Sequence, residues 1–518
     1  MHGGEAESLS CLHTPYPHVC NHYMSTNTLS TSSSSSSSFS FHEMALQVTM
    51  DQAIEAHKLV STMKIMDNND FNGGDNRAKL AWSDCLELYE DTVFQLNRSV
   101  SKSKNPDDRL TWLSAATANH QTCQNGFLDL NLQSHLNYFP NMLGNFSKLL
   151  SNSLAITMAM SISSSPSLSS SFKRVNNNNN GGGGRKLLGS YPEWVLESDR
   201  KLIEAAPGTP GPDVVVAKDG SGNYKSIAEG VAAAAKMGGG GGRRVVVHVK
   251  GGVYAENVEI KRTMKNLMIV GDGIGVTIVT GSKSAAQTTT FSSATFAVSG
   301  DNFIARDITF ENTAGPAKHQ AVALRCGADH AVFHRCSFLG YQDTLYVYSQ
   351  RQFYRDCDIH GTVDFIFGDA AAILQNCNIN ARKPMGGQQN TVTAHGRSDP
   401  NENTGIIIQN CRVNGAPGTN NFLGRPWREY ARTVVMASEL GGIHPAGWLE
   451  WSGSFALKTL YYAEYMNTGG GAATGGRVKW PGFHVLRSPA EVSEFSVGNF
   501  LGGESWIPGA NVPFDAGL

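Results

Sequence analysis

The sequence lacks the features that mark several large classes of protein. No dense run of lysine and arginine occurs, and the formal net charge of the 518 residues is −2, so we expect no nucleic-acid partner. No apolar run approaches the roughly 20 residues needed to cross a bilayer, and the most apolar short stretch, residues 154–162, is too short. We therefore expect no membrane span.

A secretory signal is also missing from the start of the chain. Residues 1–10 contain neither the basic segment nor the apolar segment of such a signal. Paired cysteines and two Asn-X-Ser glycosylation sequons, at Asn97 and Asn145, still favour an exported protein. We expect secretion to the cell exterior, with an incomplete start or an unusual export route. The 55 glycines and the low charged fraction of 17% are typical of a turn-rich β protein.

Five similar segments indicate a repeating fold in the second half of the chain. They begin at Arg306, His334, Arg355, Gln375 and Gln409 and read RDITFEN, HRCSFLG, RDCDIHG, QNCNINA and QNCRVNG. Each reads as one short strand, with an apolar residue or cysteine third and a second apolar residue fifth, so that one face turns inward. The steps of 28, 21, 20 and 34 residues between these starts are typical of a solenoid with insertions. A parallel β-helix fits best.

Two aspartates hold equivalent places in this repeat. Asp343 follows Cys336 by seven residues, and Asp364 follows Cys357 by seven. Equivalent positions of adjacent coils stack about 4.7 to 4.9 Å apart, so the two carboxyls are expected to be neighbours on one face. Two carboxyls this close do not both ionise easily, and one is expected to have a raised pKa. One can then donate a proton while the other is a charged nucleophile; a solvated pair of turn aspartates is the alternative.

The first part of the chain has a helical pattern. Amphipathic periodicity begins at about Ala45 and starts again at Ala78 and at Asp107, and a less regular apolar segment follows Tyr138. Four such helices predict an all-α bundle. The serine-rich tract of residues 31–38 cannot bury a core, and we interpret it as a disordered insertion.

Two cysteine pairs accompany these helices. Cys11 and Cys20 close a tight proline-containing loop, and Cys85 and Cys123 lie 38 residues apart in the second and third helices, where a disulfide would join neighbours. Characteristic residues surround these cysteines: Thr14, Tyr16 and Pro17 within the first pair, Asp84 and Tyr89 around Cys85, and the sequence WLSAA before Cys123. With these features residues 1–160 resemble the invertase and pectin methylesterase inhibitor family. The resemblance implies a four-helix module that docks on an esterase or invertase; the serine-rich insertion departs from the family.

A low-complexity stretch divides the chain. Residues 161–184 are rich in serine, asparagine and glycine, and we interpret them as a flexible linker. Arg185, Lys186, Leu187 and Leu188 follow directly, a basic-basic-apolar sequence that a processing protease could reach in a linker. The predicted organisation is therefore a helical pro-region at 1–160, a linker with a processing site at 161–188, and a β-helix domain at 189–518.

Further polar residues accompany the two aspartates. Gln320 precedes the coil of Cys336 and Gln342 precedes Asp343; their amides could donate to an oxyanion. Arg425 could pair with Asp364 and stabilise its charge. Aromatic residues that could stack on sugar faces are frequent nearby: Tyr341, Tyr346, Phe365, Phe367, Trp427, Trp448 and Trp451.

Five motifs in this region resemble the plant pectin methylesterases. They are GVYAE from Gly252, QAVALR from Gln320, GYQDTLY from Gly340, DFIFG from Asp364 and LGRPW from Leu423. They occur in the family order, and the similarity covers about residues 205–515. The resemblance implies a right-handed parallel β-helix that acts in the cell wall and removes methyl esters from polygalacturonate, with methanol as the other product. The basic-basic-apolar sequence at 185–188 is likewise similar to the cleavage signal of plant pectinesterase precursors.

The resemblance also implies roles for the two aspartates and for the polar and aromatic residues near them. Asp364 would be the nucleophile, and Asp343 would protonate the departing methanol and then act as a base toward water. Gln342 and Gln320 would stabilise the oxyanion, and Arg425 would orient Asp364. The residues expected to contact substrate are Gln320, Tyr346, Phe367, Arg425, Trp427 and Trp448.

The cysteines of the repeat share one ladder position. Cys336, Cys357, Cys377 and Cys411 take the place that Ile308 holds in the first segment, which suggests small buried apolar residues. The spacing of coils nevertheless falls within disulfide range. Because some relatives pair the corresponding positions, the resemblance implies a Cys357–Cys377 bridge, and Cys326 is expected to be free.

Two other functions compete with the esterase. A pectate lyase or polygalacturonase can share the solenoid, but a lyase would need a Ca²⁺-binding acidic cluster, and none is evident in the sequence. A non-catalytic inhibitor or wall-binding protein would not need the full set of aspartates, glutamines and arginine. We expect methyl-esterified pectin as substrate, no cofactor or metal, a processing protease and a proteinaceous inhibitor as possible partners, and a monomer.

Overall fold

A computed structural model of the protein describes residues 10–30, 40–63, 76–101, 105–138, 142–164, 212–238 and 243–518. The serine-rich tract of residues 31–38 and the predicted processing site at 185–188 lie outside the described residues. Among the described residues, none of the helices combines the length and apolar character that crossing a bilayer requires.

In the described part of the N-terminal domain there are five helices. They are α1 (Pro17–Ser30), α2 (Phe41–Met63), α3 (Asn76–Ser101), α4 (Pro106–Asp129) and α5 (Met142–Ser164). The last four confirm the predicted bundle, whereas α1 was not predicted. Helix α4 begins where the Asn105 side chain accepts a hydrogen bond from the Asp107 amide, with Pro106 in the first turn. Helix α5 continues through Ser164, so its last residues lie in the stretch that the sequence assigned to the linker.

Two disulfides fix this domain, as predicted. Cys11 is bonded to Cys20, and Cys85 is bonded to Cys123 with a Cα–Cα distance of 4.6 Å. The second bridge joins α3 to α4, the two helices that cover the functional site described below. It therefore holds together the part of the bundle that contacts the β domain.

The second domain is a parallel β-helix of three sheets, and all paired strands in them are parallel. Sheet A contains β1 (Val214–Val216), β2 (Val245–Val249), β5 (Leu267–Gly271), β8 (Ile304–Arg306), β11 (Ala331–His334), β14 (Arg351–Arg355), β17 (Ala371–Gln375), β20 (Gly405–Gln409), β23 (Arg432–Met436), β25 (Tyr461–Tyr465) and β26 (Phe483–Val485). Sheet B contains β3 (Gly252–Ala255), β6 (Thr277–Gly281), β9 (Thr309–Asn312), β12 (Ser337–Leu339), β15 (Asp358–Gly361), β18 (Asn378–Ala381), β21 (Arg412–Asn414) and β24 (Glu439–Gly441). Sheet C contains β4 (Val258–Ile260), β7 (Phe296–Val298), β10 (Leu324–Cys326), β13 (Leu345–Val347), β16 (Ile366–Gly368), β19 (Asn390–His395) and β22 (Asn421–Gly424).

Short helices complete this domain. Helix α6 (Ile227–Met237) packs on the first coil, and its Ser226 cap accepts a hydrogen bond from the Glu229 amide. Helices α7 (Pro489–Val492) and α8 (Val497–Phe500) lie in the C-terminal segment, which packs on the outer face of sheet A. The 3-10 helices of the described residues are Cys11–His13, Gln133–Tyr138, Phe291–Ser293, Pro316–Lys318, Ser493–Phe495, Gly503–Ser505 and Ile507–Ala510.

The repeated segments form the corners of the coils. Their second residues have left-handed backbone: φ is 55° at Asp307, 50° at Arg335, 55° at Asp356, 57° at Asn376 and 54° at Asn410. Aspartate and asparagine adopt this conformation more easily than most residues, and it turns the chain from sheet A into sheet B. The interpretation of each segment as one strand is therefore wrong, because the first residue ends one strand and the fourth begins the next.

The third residues of four of the five segments are cysteines, which stack in the core as thiols. Cys336, Cys357, Cys377 and Cys411 are buried and free. The Cys357 amide lies 3.5 Å from the Cys377 sulfur, and the Cys357 sulfur lies 3.4 Å from the Phe333 carbonyl oxygen. In parallel, in-register coils the Cα–Cβ bonds of stacked residues point the same way, whereas a disulfide needs its two Cβ atoms turned toward each other. The predicted Cys357–Cys377 disulfide is therefore wrong. Cys326 is a free buried thiol, as predicted.

Candidate active site

Sheet C places the two predicted aspartates side by side. Leu345 of β13 pairs with Ile366 of β16, and two residues earlier in each coil come Asp343 and Asp364. The Asp343 amide donates to the Val363 carbonyl at 3.1 Å, which keeps the two coils in register at this point. Both aspartates have positive φ, 62° and 51°, so each sits at a turn immediately before its strand. They line one cavity, which confirms that they share a face.

Asp364 is held by an arginine and a threonine. Arg425 Nε donates to Asp364 Oδ1 at 2.8 Å, and Arg425 Nη2 donates to Oδ2 at 2.6 Å. Thr391 lies one coil further along. Its hydroxyl donates a hydrogen bond to Oδ1 at 2.6 Å and accepts one from the Asp364 amide at 2.8 Å. Charge-assisted, bidentate bonds of this kind stabilise a carboxylate and fix its orientation. Oδ1 therefore accepts two side-chain bonds, whereas Oδ2 accepts one and is the less engaged oxygen.

The electrostatic environment of Asp343 differs from that of Asp364. Burial and then the neighbouring Asp364 carboxylate raise the pKa of Asp343 well above its usual range, and Arg425 opposes this only in part. Both side-chain bonds of Arg425 go to Asp364. The prediction that one of the two stacked aspartates would have a raised pKa is confirmed for Asp343. This pair therefore combines a carboxyl whose pKa is raised with a carboxylate held by a cation.

The aspartates open into a cavity of about 270 Å³. Its lining includes the predicted residues Gln320, Gln342, Asp343, Tyr346, Asp364, Phe367, Arg425 and Trp427. Both glutamines are half-buried at its wall. The backbone joins their two turns, because the Ala321 amide donates to the Gln342 carbonyl at 3.2 Å. The structure thus brings together all five residues that were predicted as catalytic.

Aromatic rings form one wall of the cavity. Tyr346 and Phe367 stack with ring centroids 4.1 Å apart, and Trp427 meets Phe367 edge-on at 6.0 Å. Trp451 lies under the Arg425 guanidinium, 4.4 Å from centroid to Cζ, and is 37% exposed. A ring in this position can stack on a sugar.

Trp448 is not part of this wall. It is 1% exposed, stacks on Tyr462 at 4.2 Å, and donates its indole N–H to Glu464 at 3.2 Å. The prediction that Trp448 contacts substrate is wrong, because its position directs the ring into the coil interior. Trp451, three residues later, takes the exposed place instead.

Helix α4 closes the cavity from above. Thr122, Asn125, Gly126 and Asp129 line it together with the residues of sheet C. Asn125 accepts a hydrogen bond from Arg428, and Asp129 accepts one from the Thr290 amide at 3.4 Å. Tyr346 and Phe367 belong to the same apolar cluster as the buried residues of α3 and α4. In the described chain the helical domain therefore occupies the space in front of the two aspartates.

Ionic contacts hold the two domains together around the cavity. Arg351 donates to Asp108 at 2.8 Å, and Arg262 donates to Glu90 at 2.9 Å. Arg98 lies 3.5 Å from the carboxylate of Asp329. These arginine–carboxylate pairs link helices α3 and α4 to strand β14 and to the turns that follow β4 and β10. The helical domain is therefore docked through many polar contacts and not only through apolar ones.

A buried carboxyl completes this interface. Asp84 of α3 accepts hydrogen bonds from the hydroxyls of Thr289 and Ser292, the second at 2.6 Å. Burial raises its pKa, and the two hydroxyl bonds oppose that rise in part. Glu87 and Asp129 remain solvent-exposed in the docked chain. Docking therefore buries one of these three carboxyls, that of Asp84, and raises its pKa.

Sequence reasoning missed several residues of the site. Thr391 stacks on Asp364, but the insertion between β18 and β19 breaks the repeat spacing, and no simple signal placed it there. Phe291 lies in a short 3-10 helix outside the repeat. The residues of α4 belong to the other domain, and nothing in the local pattern indicated that they enter the cleft.

The two predicted sequons lie on the helical domain. Asn97 is exposed near the end of α3, and Asn145 is partly exposed near the start of α5.

Two family models match the chain. The model described as "Pectinesterase" matches residues 213–504, and the model described as "Plant invertase/pectin methylesterase inhibitor" matches residues 8–156. These ranges coincide with the β-helix and with the helical domain.

Similar proteins support both matches. "Probable pectinesterase/pectinesterase inhibitor 6" of Arabidopsis thaliana is 53% identical over 98% of this chain and 94% of its own length. "Pectinesterase 2" of Citrus sinensis is 50% identical over the same shares. Among solved structures, "Pectin methylesterase from Carrot" is 54% identical with a TM-score of 0.59, covering 61% of this chain and 100% of that one.

Proposed function

Since the chain belongs to the pectinesterase family and carries an inhibitor-family domain in front of its catalytic β-helix, we propose that Asp364 and Asp343 carry out its reaction. The protein is a carboxylic ester hydrolase that removes methyl esters from pectin and gives pectate and methanol. The observation that carries the residue assignment is the asymmetry of the pair: Arg425 holds one carboxylate, while burial and the neighbouring carboxylate raise the pKa of the other.

The first step forms a covalent intermediate. Oδ2 of Asp364, the less engaged oxygen, attacks the carbonyl carbon of the uronate methyl ester and gives a tetrahedral oxyanion. The methoxy C–O bond then breaks, and the proton of Asp343 passes to the departing methoxy oxygen, so that methanol leaves. The uronyl group is left as an anhydride with Asp364. Asp343 is now an ionised base.

The second step restores the enzyme. Asp343 takes a proton from water as the water oxygen attacks the uronyl carbon of the anhydride. The bond to Asp364 breaks, which releases the uronic acid and returns Asp364 to its ionised form beside Arg425. The carboxyl proton of the product is then lost to solvent, which gives the free uronate. Asp343 is protonated again and ready for the next ester. Tyr346, Phe367, Trp427 and Trp451 would hold the sugar rings in the cleft.

The amides of Gln320 and Gln342 would donate to the oxyanion. Because loss of one such donor costs about 10²- to 10³-fold in rate in well-studied enzymes, Gln342→Leu is expected to lower kcat about 100-fold with a much smaller change in KM. Methanol release at several substrate concentrations measures both constants. Gln287→Leu, at an exposed position outside the cavity, is the matched control. A change in KM alone would contradict the oxyanion role.

The reaction products distinguish the esterase from its competitors. Esterified polygalacturonate treated with residues 189–518 is expected to give methanol and an unshortened pectate chain. A lyase would give unsaturated uronides, and a polygalacturonase would give shortened saturated ones. Unsaturated or shortened products without methanol would overturn the proposed function.

The helical domain would act as a built-in inhibitor. It covers the cleft in the described chain, and cutting at residues 185–188 by a processing protease would be needed before it can leave. We place the protein outside the cell, in the wall where pectin lies, as a monomer whose two domains are made as one precursor. In this scheme the possible proteinaceous inhibitor is the protein's own N-terminal domain.

Docking of the helical domain is expected to weaken as pH rises. The docked state raises the pKa of Asp84 through burial, so it binds more protons than the separated domains do. Its stability is therefore fully present at acidic pH and is lost as pH rises above the ordinary carboxyl pKa of about 4. Size-exclusion chromatography of the cut chain between pH 4 and pH 8 measures the separated fraction.

A substitution refines this pH test. Asp84→Asn keeps an oxygen that can accept from Thr289 and Ser292 but cannot ionise, so separation is expected to need a higher pH. Asp51→Asn, on the exposed face of α2, is the control and should leave the pH of separation unchanged. Separation that does not depend on pH would contradict this account of the interface.

A further inference from the structure

A row of outward-facing side chains runs along sheet C on both sides of the catalytic pair. Strand register aligns Ala297 of β7, Arg325 of β10, Tyr346 of β13 and Phe367 of β16. The residues flanking Arg325, Leu324 and Cys326, point into the coil core. Arg325 therefore points out of the coil on the same side as the two stacked rings of the cleft.

Arg325 is the cation of this row, and it has no anionic partner in contact. Its side chain is buried, with the residue 5% exposed, and its Nε makes no hydrogen bond. Within the described part of the chain no carboxylate lies within ion-pair distance of it. Its guanidinium lies on the Phe291 ring, with Cζ 3.4 Å from the centroid, and Phe291 lines the catalytic cavity. A buried guanidinium without an anionic partner indicates a group available to an anionic ligand.

The helical domain brings carboxyls toward this position. Asp84 and Glu87 of α3 lie close enough to Arg325 for its charge to pull their pKa downward. Neither forms a hydrogen bond with Arg325; the bonds of Asp84 go to Thr289 and Ser292. When the helical domain leaves, Arg325 has small Ala297 on one side and Tyr346 on the other, so the position is open to a substrate chain.

We propose that Arg325 binds the free carboxylate of a de-esterified uronate next to the ester under attack. This deepens the proposed function and rests on it. The coil of Arg325 is one coil from that of Asp343 and two from that of Asp364, or about 5 to 10 Å along the row, which is of the order of one or two sugar rings. A planar guanidinium matches a carboxylate through two parallel bonds, whereas a methyl ester carries no charge. Arg325 is therefore a specificity residue that favours partly de-esterified pectin.

The test compares two substrates on the catalytic domain. Residues 189–518 are expected to fold alone, because the core inside the coils uses no residue before Val214. The substrates are a fully methyl-esterified oligogalacturonate and the same oligomer with about half of its esters removed. The measurement is the ratio of kcat/KM, per ester, on the second substrate to that on the first. Wild type is expected to favour the partly de-esterified oligomer, and Arg325→Gln is expected to lower this ratio about ten-fold, mainly through KM.

Two further variants sharpen the result. Arg325→Lys keeps the positive charge but cannot form the two parallel hydrogen bonds of a guanidinium, and it is expected to lower the ratio about three-fold. This variant tests the proposal if Arg325→Gln does not fold. Arg412→Gln, an exposed arginine on sheet B, is the control and is expected to leave the ratio unchanged. A ratio that stays the same in both Arg325 variants, or equal loss on both substrates, would overturn the proposal.

Different results would refute the esterase function and the role of Arg325. If wild-type residues 189–518 release no methanol from either oligomer, the esterase function itself is refuted. If wild type is active and its ratio is unaffected by Arg325, only the role of Arg325 is refuted. Raising the NaCl concentration is expected to reduce the wild-type ratio toward that of Arg325→Gln, because an accessible ion pair is screened by salt.

Discussion

Asp364→Asn is expected to lower methanol release by the separated catalytic domain by a factor on the order of 10⁴ or more. Loss of a nucleophile in well-studied hydrolases has effects of this size or larger. Asparagine keeps the shape of the side chain but has no charged oxygen to attack the ester, and its amide cannot accept both Arg425 bonds. Methanol measured under saturating substrate gives kcat directly.

The fold is expected to survive this change, although Arg425 loses its carboxylate partner. Thermal unfolding of the variant checks this point. Asp358→Asn is the matched control, because Asp358 lies on sheet B, is only partly buried, and accepts a bond from Asn378. Its activity should equal that of wild type. A folded Asp364→Asn variant with wild-type activity would show that another group is the nucleophile.

Release of the helical domain is expected to raise activity by a factor of about 100 or more. Four residues of α4 line the cavity in front of the aspartates, and Tyr346 and Phe367 are each only 3% exposed beneath the helices. A pectin chain cannot reach the ester-binding position while these contacts persist. Residues 189–518 and the uncut chain, assayed at equal concentration, give the comparison.

A non-cleavable chain is the control for this second prediction. Substituting alanine at Arg185 and Lys186 removes the basic pair of the predicted processing site without touching either domain. Treated with the same protease, this chain should keep the low activity of the uncut protein. Equal activity of the uncut chain and residues 189–518 would mean that the helical domain does not block the site.

The repeat of the β-helix could be predicted because similar residue types recur in the chain at similar intervals. Asp343 follows Cys336, and Asp364 follows Cys357, by the same seven residues. Because no insertion interrupts either coil, this equal spacing places the two aspartates at equivalent positions in the folded chain. The corners were misread because an alternating apolar pattern does not reveal backbone conformation. The Asp or Asn at the second position of four of the five segments was the available signal for a left-handed residue.

Features that depend on side-chain direction could not be predicted. Trp448 and Trp451 are three residues apart, yet one is packed in the coil and the other is on the surface. The stacked cysteines lie at disulfide spacing, but parallel Cα–Cβ bonds keep them apart as thiols. Thr391 and the α4 residues come from distant or interrupted sequence. Contacts of this kind are fixed only in the folded chain, and those of the α4 residues only when the two domains are docked.

The most direct test of the account is one methanol-release assay with four samples. They are the wild-type chain and its Asp364→Asn variant, each before and after the linker is cut and the helical domain is separated at neutral pH. The account predicts substantial methanol only from the cut wild-type sample. Full activity in the uncut wild-type sample, or in the cut Asp364→Asn sample, would contradict it.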